Sequence, residues 1–263
     1  MQKLSVEQAL RAMQRFAVLE WRLVVPIALA FFGLPQLVVA ILLARNPLPM
    51  PETVEQLQAF STVLPGWWGP MMLVTLGCGL VGALALMILA LVPRISVGEA
   101  IAAAFRRAPA WLGAAALLGL VLLVALILLL ALLSAVGAGP MSLAWLTMVA
   151  LAAAGLFLLL LLPIAADRPI GPVTLLRHGW RFYRPVLGRI AAALILFLAG
   201  AWLLSIVVQV TAGSIILLLA RSLGQPQTGL VLVALIAATI WSLQWAAFHV
   251  FLAGLYRQRT ARA

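Results

Sequence analysis

Long apolar stretches separated by short basic segments constrain this chain more than any other feature. They fall at about 22–44, 69–92, 110–136, 142–166, 187–212 and 229–255. Each is near the ~20 residues a helix needs to cross a bilayer. They cannot all end in a water-soluble core. Of the 263 residues, 66% are hydrophobic and 9% charged, whereas a soluble domain is about half apolar and about a quarter charged. Lipid as solvent removes the conflict, and it admits only helices or a closed barrel, because backbone polar groups find no water there. The runs are unbroken and do not alternate at period two, which selects helices. The expected fold is all-α, a polytopic membrane bundle of six transmembrane helices in one integral membrane domain, 1–263.

The third and fourth runs are separated by Gly137-Ala138-Gly139-Pro140, the composition of a tight helical hairpin. The fifth run continues from Ile190 to Ala220, about 45 Å as helix against a hydrocarbon core of about 30 Å. Steep tilt would accommodate it. The alternative expected here is a break at Gln209-Val210-Thr211-Ala212-Gly213-Ser214, with 214–222 a short helix at the far interface. The first 18 residues are polar and amphipathic, and the run from Leu23 to Ala44 exceeds a signal-peptide core. The first helix is therefore expected to remain as an anchor.

The net charge is +11, carried by sixteen Arg and one Lys against six acids. Nucleic-acid binding would need this charge gathered on one face, but it lies in separate segments between apolar runs, so no nucleic-acid partner is expected. With six spans, fifteen basic residues fall on one side of the membrane and only Arg45 and Arg221 on the other. The excess of Lys and Arg marks the cytoplasmic side, which places both termini there. Preference for Arg over Lys, with abundant Ala and Leu, is a usage associated with GC-rich bacterial genomes, and the expected location is a bacterial inner membrane.

The cytoplasmic approaches to the odd-numbered helices resemble one another. Ser5-Val6-Glu7-Gln8-Ala9-Leu10 leads through Arg15, Ser96-Val97-Gly98-Glu99-Ala100-Ile101 through Arg106-Arg107, and Ile170-Gly171-Pro172-Val173-Thr174-Leu175 through Arg181 and Arg184. The first two open with the capping-box pattern, Ser followed three residues later by Gln or Glu. Val6, Leu10, Met13 and Ala17 form one apolar face, and Val173, Leu176, Trp180 and Tyr183 another, opposed to Arg177, Arg181 and Arg184. Such elbows should lie in the interface with arginines toward anionic headgroups. Three parallel repeats follow, at about 1–93, 94–167 and 168–263, each an interfacial amphipathic elbow helix plus a transmembrane hairpin. Residues 51–64 form an insert expected to make an external interfacial helix.

S-V-G-E-A-I, R-R and W-L at 96–112, P-I-A-A-D at 163–167, G-P-V-T-L-L-R-H-G-W-R at 171–181 and L-Y-R at 255–257 resemble the membrane-domain family named after glycerophosphoryl diester phosphodiesterases. The resemblance covers nearly the whole chain and implies a six-helix membrane protein. That family usually has Ser before the elbow tryptophan, where this chain has Gly179. Its name comes from members fused to a catalytic barrel with paired histidines and metal-binding carboxylates. This sequence has neither the room nor the residues for that barrel, so no phosphodiesterase activity is implied.

No catalytic or metal-binding residues and no cofactor are assigned. The six acids lie outside the middles of the spans, Cys78 is the single cysteine, and His178 and His249 lack placed partner ligands. His249 is expected to be packed or to snorkel. Asp167 is expected to serve structural ion pairing, with Arg177 or Arg106, or to cap the third elbow. Arg106, Arg107, Arg177, Arg181 and Arg184 make a candidate surface for membrane lipids with anionic headgroups or for other membrane proteins. Gln209, Thr211, Ser214 and Gln244 make a candidate intramembrane polar site, with hydrogen bonding between helices as the competing reading. Tryptophans 21, 67, 68, 111 and 180 are expected as interfacial anchors. The expected function is a non-enzymatic membrane protein organising lipids or partners through its elbows. The alternative is a small-molecule or lipid transporter with its site at the break in helix five.

Overall fold

The computed structural model describes residues 6–45, 65–135 and 140–260. The regular structure of the described residues is entirely helical. In chain order it comprises α1 (Val6–Leu19), α2 (Trp21–Ala28), a π-helical turn (Leu29–Gly33), α3 (Leu34–Arg45) and α4 (Trp68–Leu91). There follow α5 (Val97–Ala135), α6 (Pro140–Asp167), α7 (Pro172–Tyr183), a 3₁₀ turn (Arg184–Val186), α8 (Leu187–Ser222) and α9 (Pro226–Thr260). Six helical stretches are long and apolar enough to cross a membrane: Trp21–Leu43, Trp68–Leu91, Val97–Leu133, Ala144–Asp167, Pro172–Ser222 and Pro226–Thr260. The chain is a multi-pass membrane protein. Lys3, the Ser5 cap, the insert 51–64, the turn residues 137–139 and Arg262 lie outside the described residues.

Two helices run longer than the sequence suggests. The capping box at Ser96 forms: Glu99 N–H donates to Ser96 Oγ at 3.3 Å, while Ser96 N–H and Oγ–H donate to Glu99 Oε2 at 2.9 and 2.7 Å. From there α5 continues for 39 residues through Pro109, so this elbow is the first part of the span and not a separate helix. Nor does the expected break at 209–214 exist. α8 is one 36-residue helix, and the expected short helix 214–222 is its last part. Thr211 is polar without interrupting the ladder, because its hydroxyl donates to the carbonyls of Val207 at 2.7 Å and Val208 at 3.3 Å. The segment contains no proline to remove a backbone donor. α8 ends where a left-handed residue can stand: Gly224 has φ +69°, and Gln225 N–H returns to Ala220 O at 2.8 Å, a Schellman-type stop. Pro226 then opens α9, a position that asks for no N–H.

The chain divides into two compact units. The first contains Met1–Ala12, Leu84–Ile195 and Val250–Ala263. Here α5 packs on α6 and α7, and α6 on α7, around fully buried Leu86, Leu161, Ile164, Leu175 and Phe251. Lipid gives no hydrophobic drive between helices, so small residues that let them approach matter most. Gly179 of α7 sits against Leu161, and a Cβ on Gly113 would stand 2.7 Å from Pro172 Cγ. Trp111 donates its indole N–H to Leu158 O at 3.0 Å and so ties α5 to α6.

The second unit contains Met13–Ala83 and Leu196–His249. In it the π turn brings Leu34 N–H to Leu29 O and buries Phe32 and Gly33, with Gly33 beside Ser242 Oγ. Phe32 stacks on His249 with centroids 5.5 Å apart. His249 is packed, 3% exposed, and its Nδ1–H meets Trp245 O at 2.6 Å.

The elbow faces are rotated from those the hydrophobic pattern predicts. In α1 the most covered side chains are Ala9, Met13 and Phe16, while Leu10 is 38% exposed. In α7 the protein covers Leu175, Gly179 and Tyr183, leaving Val173 and Trp180 uncovered. Apolar side chains here serve two apolar surroundings, neighbouring helices and lipid, which periodicity cannot tell apart.

The Gly179 contact is testable. Alanine raises helix propensity by up to ~1 kcal/mol, but overpacking a filled core costs about 1–3 kcal/mol. Leu161 is completely buried, so its displacement disturbs the packing around it. Gly179→Ala should therefore lower stability by about 1 kcal/mol in thermal unfolding of micelle-solubilised protein. Adding Leu161→Val should recover part of that loss.

Candidate functional site

Charge gathers in the first unit where α5, the end of α6 and the segment before α7 meet. Arg106 and Arg107 come from α5, in the stretch just before Pro109. Arg168 follows the last residue of α6, its N–H still bonded to Ile164 O at 3.0 Å. The three arginines line a cleft of about 400 Å³ together with Ala103, Ala110, Ala165, Pro169 and Ile170. Alanines at facing positions leave this space, since larger side chains would fill it. Arg106 Nε–H donates to Ala102 O at 3.3 Å. Arg107 Nη1 is buried without a hydrogen-bond partner.

The negative counterpart is Asp167, which accepts a hydrogen bond from Tyr256 OH at 2.7 Å and lies 3.4 Å from Arg168 Nε. The expected pairing of Asp167 is therefore made, but with other partners than Arg177 or Arg106. Nor does it cap the third elbow, whose N-cap is Gly171 with no side-chain cap bond. Ending α6 places Asp167 next to Arg168, and the last turns of α9 bring Tyr256 to it. Nearby, the Arg259 guanidinium carbon stands 4.9 Å from the Phe182 ring centroid, and Phe182 packs on Tyr183 and Tyr256. This aromatic and cationic support fixes the α9 end from which Tyr256 reaches Asp167.

The five arginines grouped in the sequence reading separate into two sets. Arg106 and Arg107 belong to the cleft, whereas Arg177, Arg181 and Arg184 are exposed on α7 and its following turn. The structure adds Arg168 and Tyr256, neither singled out from the sequence. Arg168 was visible there only as one basic residue among many, and Tyr256 as part of L-Y-R. Among the described residues, no three His, Cys, Asp or Glu side chains are grouped to hold a metal ion.

The candidate intramembrane polar site is not assembled. Gln209, Thr211 and Ser214 are exposed on the unbroken α8. Gln244 lies elsewhere in the second unit, where its Oε1 accepts from Ser205 Oγ at 2.8 Å and its Nε2 donates to Ala201 O at 2.6 Å. This two-point clamp joins α8 to α9, as the interhelical reading of these polar residues expects, with Ser205 a partner the sequence did not indicate. No protein-family model, curated protein or solved structure matches the chain.

Interhelical hydrogen bonds in membrane proteins contribute about 0.6 kcal/mol on average and up to ~1.7 kcal/mol. Gln244→Leu removes both bonds and strands the Ser205 donor, so a loss of about 1–2 kcal/mol is expected in denaturant unfolding from micelles. Ser205→Ala should cost less. The double substitution should cost less than the sum of the two, because the pair shares one bond.

Proposed function

We propose that this chain is a non-enzymatic membrane protein that organises anionic lipids, and proteins with acidic surfaces, through basic helices on the cytoplasmic face of a bacterial inner membrane. The observation that carries this reading is the outward face of α7. Arg177, Arg181 and Arg184 are exposed there beside uncovered Val173, 67% exposed, and Trp180, 52% exposed. Arginine and apolar groups sharing one uncovered face suit the boundary between headgroups and acyl chains, where an aromatic ring also sits favourably. Fifteen basic residues on one side of six spans support the cytoplasmic placement. α1 and the capped start of α5 support the proposal of three elbow-and-hairpin units. Membership of the membrane-domain family, without its catalytic barrel, belongs to the same proposal.

Each basic residue near an anionic surface contributes about 1 kcal/mol. Replacing Arg177, Arg181 and Arg184 together by Gln should therefore weaken the preference for phosphatidylglycerol over phosphatidylcholine severalfold. Electron spin resonance of spin-labelled lipids around the reconstituted protein reads this directly, as the fraction of each lipid held motionally restricted. The wild-type preference should also shrink as salt rises and the screening length falls below ~10 Å. An unchanged preference in the triple variant would reject the reading.

A further inference from the structure

The cleft beside α5 differs from the exposed arginines of α7 in being a shaped recess. We propose that Arg106, Arg107 and Arg168 bind one phosphate ester in it, the source being the headgroup of a single glycerophospholipid. The clause about lipid rests on the function proposed above, whereas the phosphate chemistry rests on the cleft alone.

Three arginines line the recess, and the one carboxylate beside it, Asp167, has its Oδ2 already engaged by Tyr256 and Arg168. Positive charge remains in excess. Guanidinium is the side-chain group best matched to phosphate oxygens, through paired N–H donors in a planar fork. Arg107 is half-buried in the wall of the recess, with its Nη1 covered and unpartnered. Burial and repulsion from Arg106 weigh on the Arg107 charge and Asp167 offsets them only in part, so the arrangement favours occupancy by an anion. The carbonyl end of α6 and Asp167 oppose this, and with three arginines they are outweighed.

The source follows from what lies further along the same helical face. Seven residues are nearly two turns, so Ala103, Ala110, Leu117 and Val124 share a face, as do Arg107, Val121 and Leu128. Leu117, Val121, Val124 and Leu128 are 38%, 65%, 49% and 66% exposed. Ala114 closes the line from Arg107 toward Val121, so the uncovered apolar track that leads from a phosphate in the cleft runs along α5 past Ala110 to Leu117 and Val124. Acyl chains fit that track, whereas a water-soluble phosphate ester would leave it unused.

The test uses the full chain in a neutral detergent, studied by native mass spectrometry during titration with palmitoyl-oleoyl-phosphatidylglycerol. Glycerol 1-phosphate serves as competitor and as the headgroup alone. One lipid should bind at least tenfold more tightly than those that follow. Arg107→Gln and Arg168→Gln should each weaken that first event about tenfold to a hundredfold, the loss of one or two charge-assisted bonds. Arg168 is exposed, so its variant keeps the test decisive if Arg107→Gln does not fold. The Arg177, Arg181 and Arg184 triple variant should leave the first event unchanged while reducing later ones. Its failure to reduce them counts against the proposed function and not against the cleft. Displacement of the lipid by glycerol 1-phosphate at similar concentration would keep the phosphate site but overturn the lipid source. First-event affinity unchanged in both single variants would overturn the site.

Discussion

Inside hydrocarbon, every backbone N–H and C=O must find its partner within the protein, and a helix does this within its own segment. The same demand extends to side chains along the spans. Thr75 donates to Met71 O, Thr239 to Leu235 O and Ser242 to Thr239 O, each at 2.8 Å. Thr211 does likewise in α8. A short hydroxyl thus disappears into its own helix and neither breaks it nor marks a ligand site. Gln244 carries an amide with both donor and acceptor capacity, and it reaches a second helix to satisfy both.

With polar groups in the spans satisfied locally, ionised groups collect at helix ends. There the first unit combines two effects that have separate origins. Charge is supplied by two arginines of α5 and by Arg168, the residue that follows α6. Space is supplied by alanine at positions 103, 110 and 165. Asp167 Oδ2 is shared between Tyr256 OH and Arg168, and one carboxylate does not neutralise three arginines. A recess with surplus positive charge results, distinct from the α7 arginines, which are uncovered and diffuse.

Close approach of helices is the second consequence of an apolar solvent. Where water would drive association, lipid does not, and contact area and fit decide instead. Gly179 against Leu161, Gly113 against Pro172 and Gly229 against Ala220 are places where a Cβ would meet a neighbour. Any side chain at 179 would carry its Cβ into the end of Leu161, which would have to shift.

Length, apolar content and breaker residues determined by themselves that the chain is all helical, that it has six stretches able to span a membrane, and where a serine-capped helix begins. These are properties of single segments, and they add along the chain. α8 continues through Gln209, Thr211 and Ser214 because a helix ladder responds to backbone donors and not to side-chain polarity, and none of those donors is missing. Which face of α1 or α7 the protein covers, which partners Asp167 takes, and which arginines share a recess were decided only by tertiary structure. Tyr256 stands 89 residues from Asp167 along the chain, and no local pattern encodes that meeting. In lipid, moreover, an apolar residue is equally at home on either side of a helix, so hydrophobic periodicity, the signal that orients helices in water, loses most of its power to choose the face.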